Sequence, residues 1–345
     1  MNGIISEISY YGFLAVVCLL LAIKGTREKS TAMDILMILL VVGLSIVSRR
    51  ELHSDMMNYR DTIQGLSEYG FSFDMTYYLK EFFFWYPSYF CTRYLFSGNV
   101  LYTFYLWDLC TVLLLLSVRR KRHWPYYMVL LFYVSFYGVL GLQNILRQFV
   151  AGIILWKAIS EKNFILGGCW LLLAAGIHNS IVIFAPIYLI ARSRFGIKTW
   201  VLLLIMVGAA SVIVLFMPKK EMSTGMDMSM VYLLVVLAMV IGNYVLLRRN
   251  HEKLKYSAYL QTLLFIAMLG CIVLVVLGHT LYYERIMITN LYIIVPMTAE
   301  IIVLAMKSVF RRKAADILLA LLFIAPTFLF SAPHMMLVNA PILFE

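Results

Sequence analysis

The sequence predicts an all-α polytopic membrane protein of about twelve transmembrane or half-membrane helices, forming a single integral membrane domain over residues 1–345. Three observations predict it. The chain is 63% hydrophobic and only 14% charged, whereas soluble domains carry about 25% charged residues. Its apolar runs are continuous and of membrane-spanning length, so the bilayer forces them into helices; barrel strands would alternate instead. Its net charge of +11 sits mostly in short loops, which reads as topology rather than as an affinity for nucleic acid.

The elements follow in order. The run 8–23 has no basic stretch before it and no small-residue cleavage site, so it reads as a retained first span rather than a signal peptide. A second span covers 32–47. Residues 48–99 then form a long outer loop. Its aromatic stretch 77–96 is broken by Lys80, Glu81, Pro87 and Arg93 and is expected to be an interfacial or re-entrant helix. Further spans are expected at 100–118, 125–140, 143–159, 200–217, 230–247, 256–277, 286–306 and 314–330. The stretch 164–191 is too long for one span and barely long enough for two.

The distribution of lysine and arginine arbitrates. Basic loops lie at 24–29, 119–123, 157–162, 192–198, 248–255 and 307–313. They share one side, the cytoplasmic one, only if 77–96 does not cross and 164–191 enters and returns as a re-entrant-like helix pair. That pair carries Gly176-Ile177-His178-Asn179 at an outward-facing tip, where irregular backbone is tolerated if it lines a cavity. Both termini then face outside. The five cysteines make no C-x-x-C pair and read as small core residues.

Four polar stretches are left on the outer side. The first runs Arg49-Arg50-Glu51-Leu52-His53-Ser54-Asp55-Met56-Met57-Asn58-Tyr59. Paired arginines there oppose the topological bias, although an interfacial collar with Tyr59 as anchor is the plainer reading. The second, Gln143-Asn144-Ile145-Leu146-Arg147-Gln148, opens a span; Asn144 and Arg147 are read as sharing a helix face. The third is Gly176-Ile177-His178-Asn179-Ser180. The fourth is Gly278-His279-Thr280-Leu281-Tyr282-Tyr283-Glu284-Arg285. Charge inside a membrane protein is costly, so its concentration on one side marks a functional site. Asp108 and Glu300, inside spans, read as helix-to-helix hydrogen-bond partners. No Walker, Rossmann, G-x-S-x-G or H-E-x-x-H motif occurs, and the scattered histidines make no metal site.

In this order the four stretches resemble the EpsG family, related to the Wzy-type O-antigen and capsule polymerases. The family's arginine before a G-x-D-x-x-x-Y element is matched by Arg49, Asp55 and Tyr59, with His53 where glycine is usual. Its R-Q-x-x-A helix start is matched by Arg147, Gln148 and Ala151. Its A-x-x-x-H-x-S…P stretch is matched by Ala174, His178, Ser180 and Pro186, and its late arginine and proline by Arg285 and Pro296. The resemblance implies a glycosyltransferase, a polysaccharide polymerase in the bacterial cytoplasmic (inner) membrane with its active site facing the periplasm or exterior. It would transfer a growing undecaprenyl-pyrophosphate-linked glycan onto a new lipid-linked repeat unit. It implies no cofactor and no metal; the partners are the lipid-linked oligosaccharide, membrane lipid and a chain-length regulator, with no nucleic acid.

Such chemistry needs cations for a pyrophosphate leaving group, and arginine's planar fork suits phosphate oxygens. Arg147 and Arg285 are assigned to it, with Arg49 as a third. Arg50, Tyr59, Asn144 and Gln148 are further substrate contacts. The acceptor hydroxyl needs a base; Asp55 is preferred and His178 is the alternative. Tyr77, Tyr78, Trp85 and Tyr86 offer a sugar platform or, equally, an interfacial belt. A lipid-linked oligosaccharide flippase or transporter is the competing class. It predicts polar residues through the full depth and an internal repeat, and no repeat is visible. A membrane acyltransferase, which would want a histidine near a cytoplasmic cofactor path, ranks third.

Overall fold

The computed structural model describes residues 7–49, 52, 55–73, 76–192, 208, 229–248, 253–277 and 281–329. All regular elements among them are helical. The first are α1 (Glu7–Lys24), α2 (Thr31–Ser48), α3 (Asp55–Tyr69), α4 (Thr76–Lys80) and α5 (Phe82–Phe90), the last running into a π turn over Cys91–Leu95. Next come α6 (Val100–Arg122), α7 (Tyr126–Val134), α8 (Phe136–Gln143), α9 (Leu146–Ser160) and α10 (Phe164–Ile177). A 3-10 turn over Asn179–Phe184 leads into α11 (Ala185–Arg192). The chain finishes with α12 (Ser229–Arg248), α13 (Lys253–Leu277), α14 (Leu281–Ala305) and α15 (Val309–Leu329).

Six of the described helices are long and apolar enough to cross a membrane, and a seventh span is counted if α7 and α8 act together. These two meet at an angle of 61°, so the single span expected over 125–140 is broken. Ser135 causes the break: its backbone is extended, and its hydroxyl accepts the Gly138 N–H to start α8 at 3.1 Å. The turn drives the Phe132 carbonyl against Gly138, where a Cβ has no room. The expected span 200–217 lies outside the described residues.

Burial separates the helices into two groups. Every residue of α7 is buried, and α9 and α14 are buried almost throughout, as expected for helices apolar on all sides. By contrast α1, α2, α12 and α13 turn Val16, Leu20, Leu39, Leu234, Ile241 and Val275 outward. Large aliphatic side chains exposed along so many helices of spanning length call for lipid to cover them. The chain is therefore a multi-pass membrane protein.

The two ends of the bundle differ in charge. At one end the basic loops meet. Arg119 donates to the Arg27 and Glu28 carbonyls at 3.1 and 2.6 Å, and Arg27 pairs with Asp316 at 3.1 Å. Lys121 pairs with Glu161 at 2.6 Å and holds that carboxyl below its usual range. Glu300 accepts from Arg122 at 2.5 Å, from Trp124 at 2.6 Å and from Tyr259 at 2.5 Å. Loops that the sequence assigns to one side thus converge in space. Residues 193–198 and 249–252 of the remaining basic loops lie outside the described residues.

From that end α9 and α10 run as a tight antiparallel pair toward the other. Tyr188 of α11 returns to donate to the Phe164 carbonyl at 2.6 Å, with its ring 5.8 Å from that of Phe164. Residues 164–191 therefore make a hairpin with His178 at its tip. Neither arm has the length of a full span: the 14 residues of α10 rise roughly 21 Å, against about 30 Å of hydrocarbon.

Candidate active site

Of the helices that begin at the end of the bundle opposite the basic loops, four bring their first turns together. Asp55 opens α3, Glu81 caps α5, Leu146 opens α9 and Leu281 opens α14. Each helix N-terminus carries about half a positive charge, so their convergence favours anions. The polar side chains of these first turns meet there (Asp55 and Tyr59 from α3, Glu81 and Trp85 from the start of α5, Arg147 and Gln148 from α9, Arg285 from α14), and His178 joins them from the hairpin tip.

Packing fixes the spacing between the two arginine-bearing helices. Gln148 Nε2 donates to both the Arg285 carbonyl and the Thr289 hydroxyl. Two turns deeper, Trp156 donates to the Tyr292 carbonyl at 2.7 Å, and Gly152 lets α9 sit against the Tyr292 ring. Arg147 and Arg285 therefore sit at matched depth on a rigid pair.

Each guanidinium is met by a carboxylate. Arg285 Nη2 lies 2.9 Å from Asp55 Oδ2, and both side chains are about a quarter exposed, at 26% and 29%. Arg147 pairs with Glu81 in a more buried setting, with side-chain exposures of 12% and 7%. Glu81 Oε1 also lies 3.0 Å from His178 Nδ1. The Arg147 guanidinium stands 5.0 Å from the ring centres of both Tyr59 and Trp85, a cation–π setting worth up to about 2 kcal/mol when desolvated. The cluster thus holds two positive and two negative charges and stays balanced without a ligand. A balanced, half-open cluster can exchange carboxylate contacts for phosphate ones.

The positions expected from sequence distribute as follows. Asp55, Tyr59, Arg147, Gln148, His178 and Arg285 come together. Arg49 stands apart with no exposure. Its Nε and Nη2 donate to Asp108 at 3.1 and 3.0 Å, and its Nη1 donates to the Leu142 carbonyl at 2.9 Å. Ser45 adds a bond to the same carboxylate at 2.5 Å. As it sits, Arg49 ties α2 to α6 and α8. Asn144 does not share a helix face with Arg147, because α9 starts only at Leu146; Asn144 ends α8, its N–H bonded to the Leu140 carbonyl at 2.9 Å. Arg50, His53 and residues 278–280 lie outside the described residues, as does the side chain of Tyr77.

Glu81 was not singled out by sequence reasoning except as a break in an aromatic run. The available signal was a lone acid between Lys80 and Phe82-Phe83-Phe84: a carboxylate in so apolar a setting needs a cation. Among the described residues no group of histidine, cysteine and acidic side chains suits a metal.

Residues 34–343 match the family model described as the EpsG family. The chain belongs to the EpsG family. EpsG is a Wzy-type polysaccharide polymerase family, a glycosyltransferase-type role. Among curated proteins and solved structures, none matches the chain.

Proposed function

We propose that this EpsG-family chain polymerises an exported glycan by transferring a growing undecaprenyl-pyrophosphate-linked chain onto a new lipid-linked repeat unit, at the outer face of the bacterial cytoplasmic membrane. One observation carries the reading: the N-termini of α9 and α14 bring Arg147 and Arg285 to one half-open cluster at the end of the bundle remote from the basic loops. Basic loops stay in the cytoplasm, so the cluster faces outward. The 15 residues of α9 rise only roughly 22 Å, so Arg147 lies below the level of a full-length span, at the depth of a lipid-borne diphosphate.

The chemistry follows from the leaving group. The acceptor hydroxyl oxygen bonds to the anomeric carbon at the donor's reducing end. The bond from that carbon to the diphosphate oxygen breaks, and lipid diphosphate leaves. Charge builds on the departing oxygens, where two guanidiniums and two helix N-termini stabilise it more than they stabilise the bound substrate. Asp55 accepts the acceptor's proton; its partial exposure and single arginine contact leave it reachable. Arg49 is left out of this assignment because its bonds to Asp108 and the Leu142 carbonyl are internal. A chain-length regulator is the expected protein partner.

The test is the glycan ladder from cells lacking the gene, complemented with wild type or Arg147→Ala. Single repeat units in the deletion, long chains with wild type and none with the variant are expected. Wild-type ladders from Arg147→Ala refute the site. Loss of all surface units, with lipid-linked ones accumulating inside, replaces the reading by a flippase.

A further inference from the structure

We propose that Glu81 is a positioning residue for the transfer: its carboxylate holds Arg147 and aims the guanidinium at the leaving diphosphate. The inference rests on the polymerase reading of the cluster and adds to it a residue that the family motifs in this sequence do not include.

The geometry carries it. Glu81 is 5% exposed, and its backbone is anchored because its carbonyl accepts the Phe84 and Trp85 N–H groups at 3.0 and 3.2 Å. Its side chain then has little freedom. One oxygen reaches Arg147, while the other lies 3.0 Å from His178. Trp85, one turn further along α5, flanks the same guanidinium beside Tyr59. The hairpin tip is locked onto this unit: Gly176 packs so close to the Phe83 ring that a Cβ there would collide with it. Acid and arginine, from two separate segments, are therefore held together, with His178 packed beside them. An arginine at the start of a helix has four rotatable bonds. Without such a clamp it would sample many orientations, and a displacement of about 1 Å in a reacting site costs about a hundredfold in rate.

Charge supplies the distinguishing signature. Replacing Glu81 by glutamine keeps the shape and removes one negative charge beside Arg147. A diphosphate then meets a site one unit more positive and binds more tightly in the ground state, while the misaimed guanidinium serves the transition state less well. Turnover and apparent affinity should move in opposite directions, which a loss of folded protein does not produce.

The experiment uses the full chain purified into lipid nanodiscs, with lipid-linked repeat units extracted from cells lacking the gene as the probe. Initial rates are normalised to folded protein. Glu81→Gln is expected to lower kcat at least tenfold and to lower KM severalfold. Glu81→Asp, which restores the charge but retracts it, is expected to recover the wild-type KM and only part of kcat. Wild-type kcat and KM in Glu81→Gln overturn the proposal, as does a kcat loss with unchanged KM that Glu81→Asp shares in full. If Glu81→Gln gives no folded protein, Glu81→Asp decides: reduced kcat at unchanged KM supports the clamp, and wild-type kcat overturns it. Arg147→Ala in the same preparation separates the two levels. If it is inactive while Glu81→Gln behaves as wild type, only the clamp falls; if it turns over normally, the site falls and takes the clamp with it.

Discussion

Removing the carboxylate of Asp108 should cost stability and leave the chemistry intact. Arg49 has no exposure and spends two of its donors on Asp108, between helices that expose aliphatic residues elsewhere. Asp108→Asn strips the counter-charge and leaves a buried guanidinium facing neutral groups: the new amide oxygen, the Leu142 carbonyl and the Phe104 ring, 5.6 Å away. Breaking a buried ion pair by removing one partner costs about 3–5 kcal/mol, whereas replacing both partners by apolar groups is neutral or stabilising by about 1–4 kcal/mol. The single variant should therefore lower the thermal midpoint of the purified protein and its yield. Arg49→Met combined with Asp108→Leu should recover both. The assay is the loss of monodisperse protein on heating, paired with the glycan ladder. A double variant that is as stable as wild type and makes no long chains would refute this reasoning, because Arg49 would then act on substrate.

Four further outcomes are expected. Arg285→Lys keeps the charge near Asp55 but loses the fork; a drop in chain-forming rate on the order of a hundredfold, the size seen on losing one oxyanion donor, is expected in the purified assay, with the amount of folded protein unchanged. Asp55→Asn keeps a hydrogen-bonding side chain for Arg285 and loses the base, so the rate should fall by about 10²–10⁴-fold, whereas an unaffected rate would transfer that role to His178. Gly176→Ala forces the hairpin tip off Phe83 at an overpacking cost of about 1–3 kcal/mol, lowering activity, and Phe83→Ala in the same chain should restore it. Finally, single cysteines placed at Glu161 and at Asp61 should react with an impermeant thiol reagent from opposite sides of the membrane, Glu161 from the cytoplasmic one; labelling from the same side would remove the two-ended arrangement.

Much of the architecture was legible because a bilayer permits few solutions. Long apolar runs have to become helices, and α1, α2, α6, α12, α13 and α14 lie where hydropathy puts them. The hairpin over 164–191 followed from length and loop charge, and the return of Tyr188 to Phe164 shows that chain path. Helix breaks were less visible. The division at Ser135 depends on one hydroxyl competing for a backbone N–H and on Gly138 admitting a carbonyl, local events that an apolar count does not register. The polar helix α3 was read as loop because its apolar positions, Met56, Tyr59, Ile63 and Leu66, are few and meet a core that only the fold supplies.

The candidate site divides along the same line. Residue type and order were sufficient to nominate Asp55, Arg147, His178 and Arg285, because charge is expensive near lipid and stands out in an apolar chain. Pairing was decided in three dimensions. Arg49 and Arg147 look alike in the sequence, each beginning or ending an apolar run. One meets Asp108 across a helix interface, and the other meets Glu81 beside His178. The sequence alone determined that these charges must find partners; the tertiary structure decided which partners, since ion pairing depends on distances between segments that lie 59 and 66 residues apart along the chain.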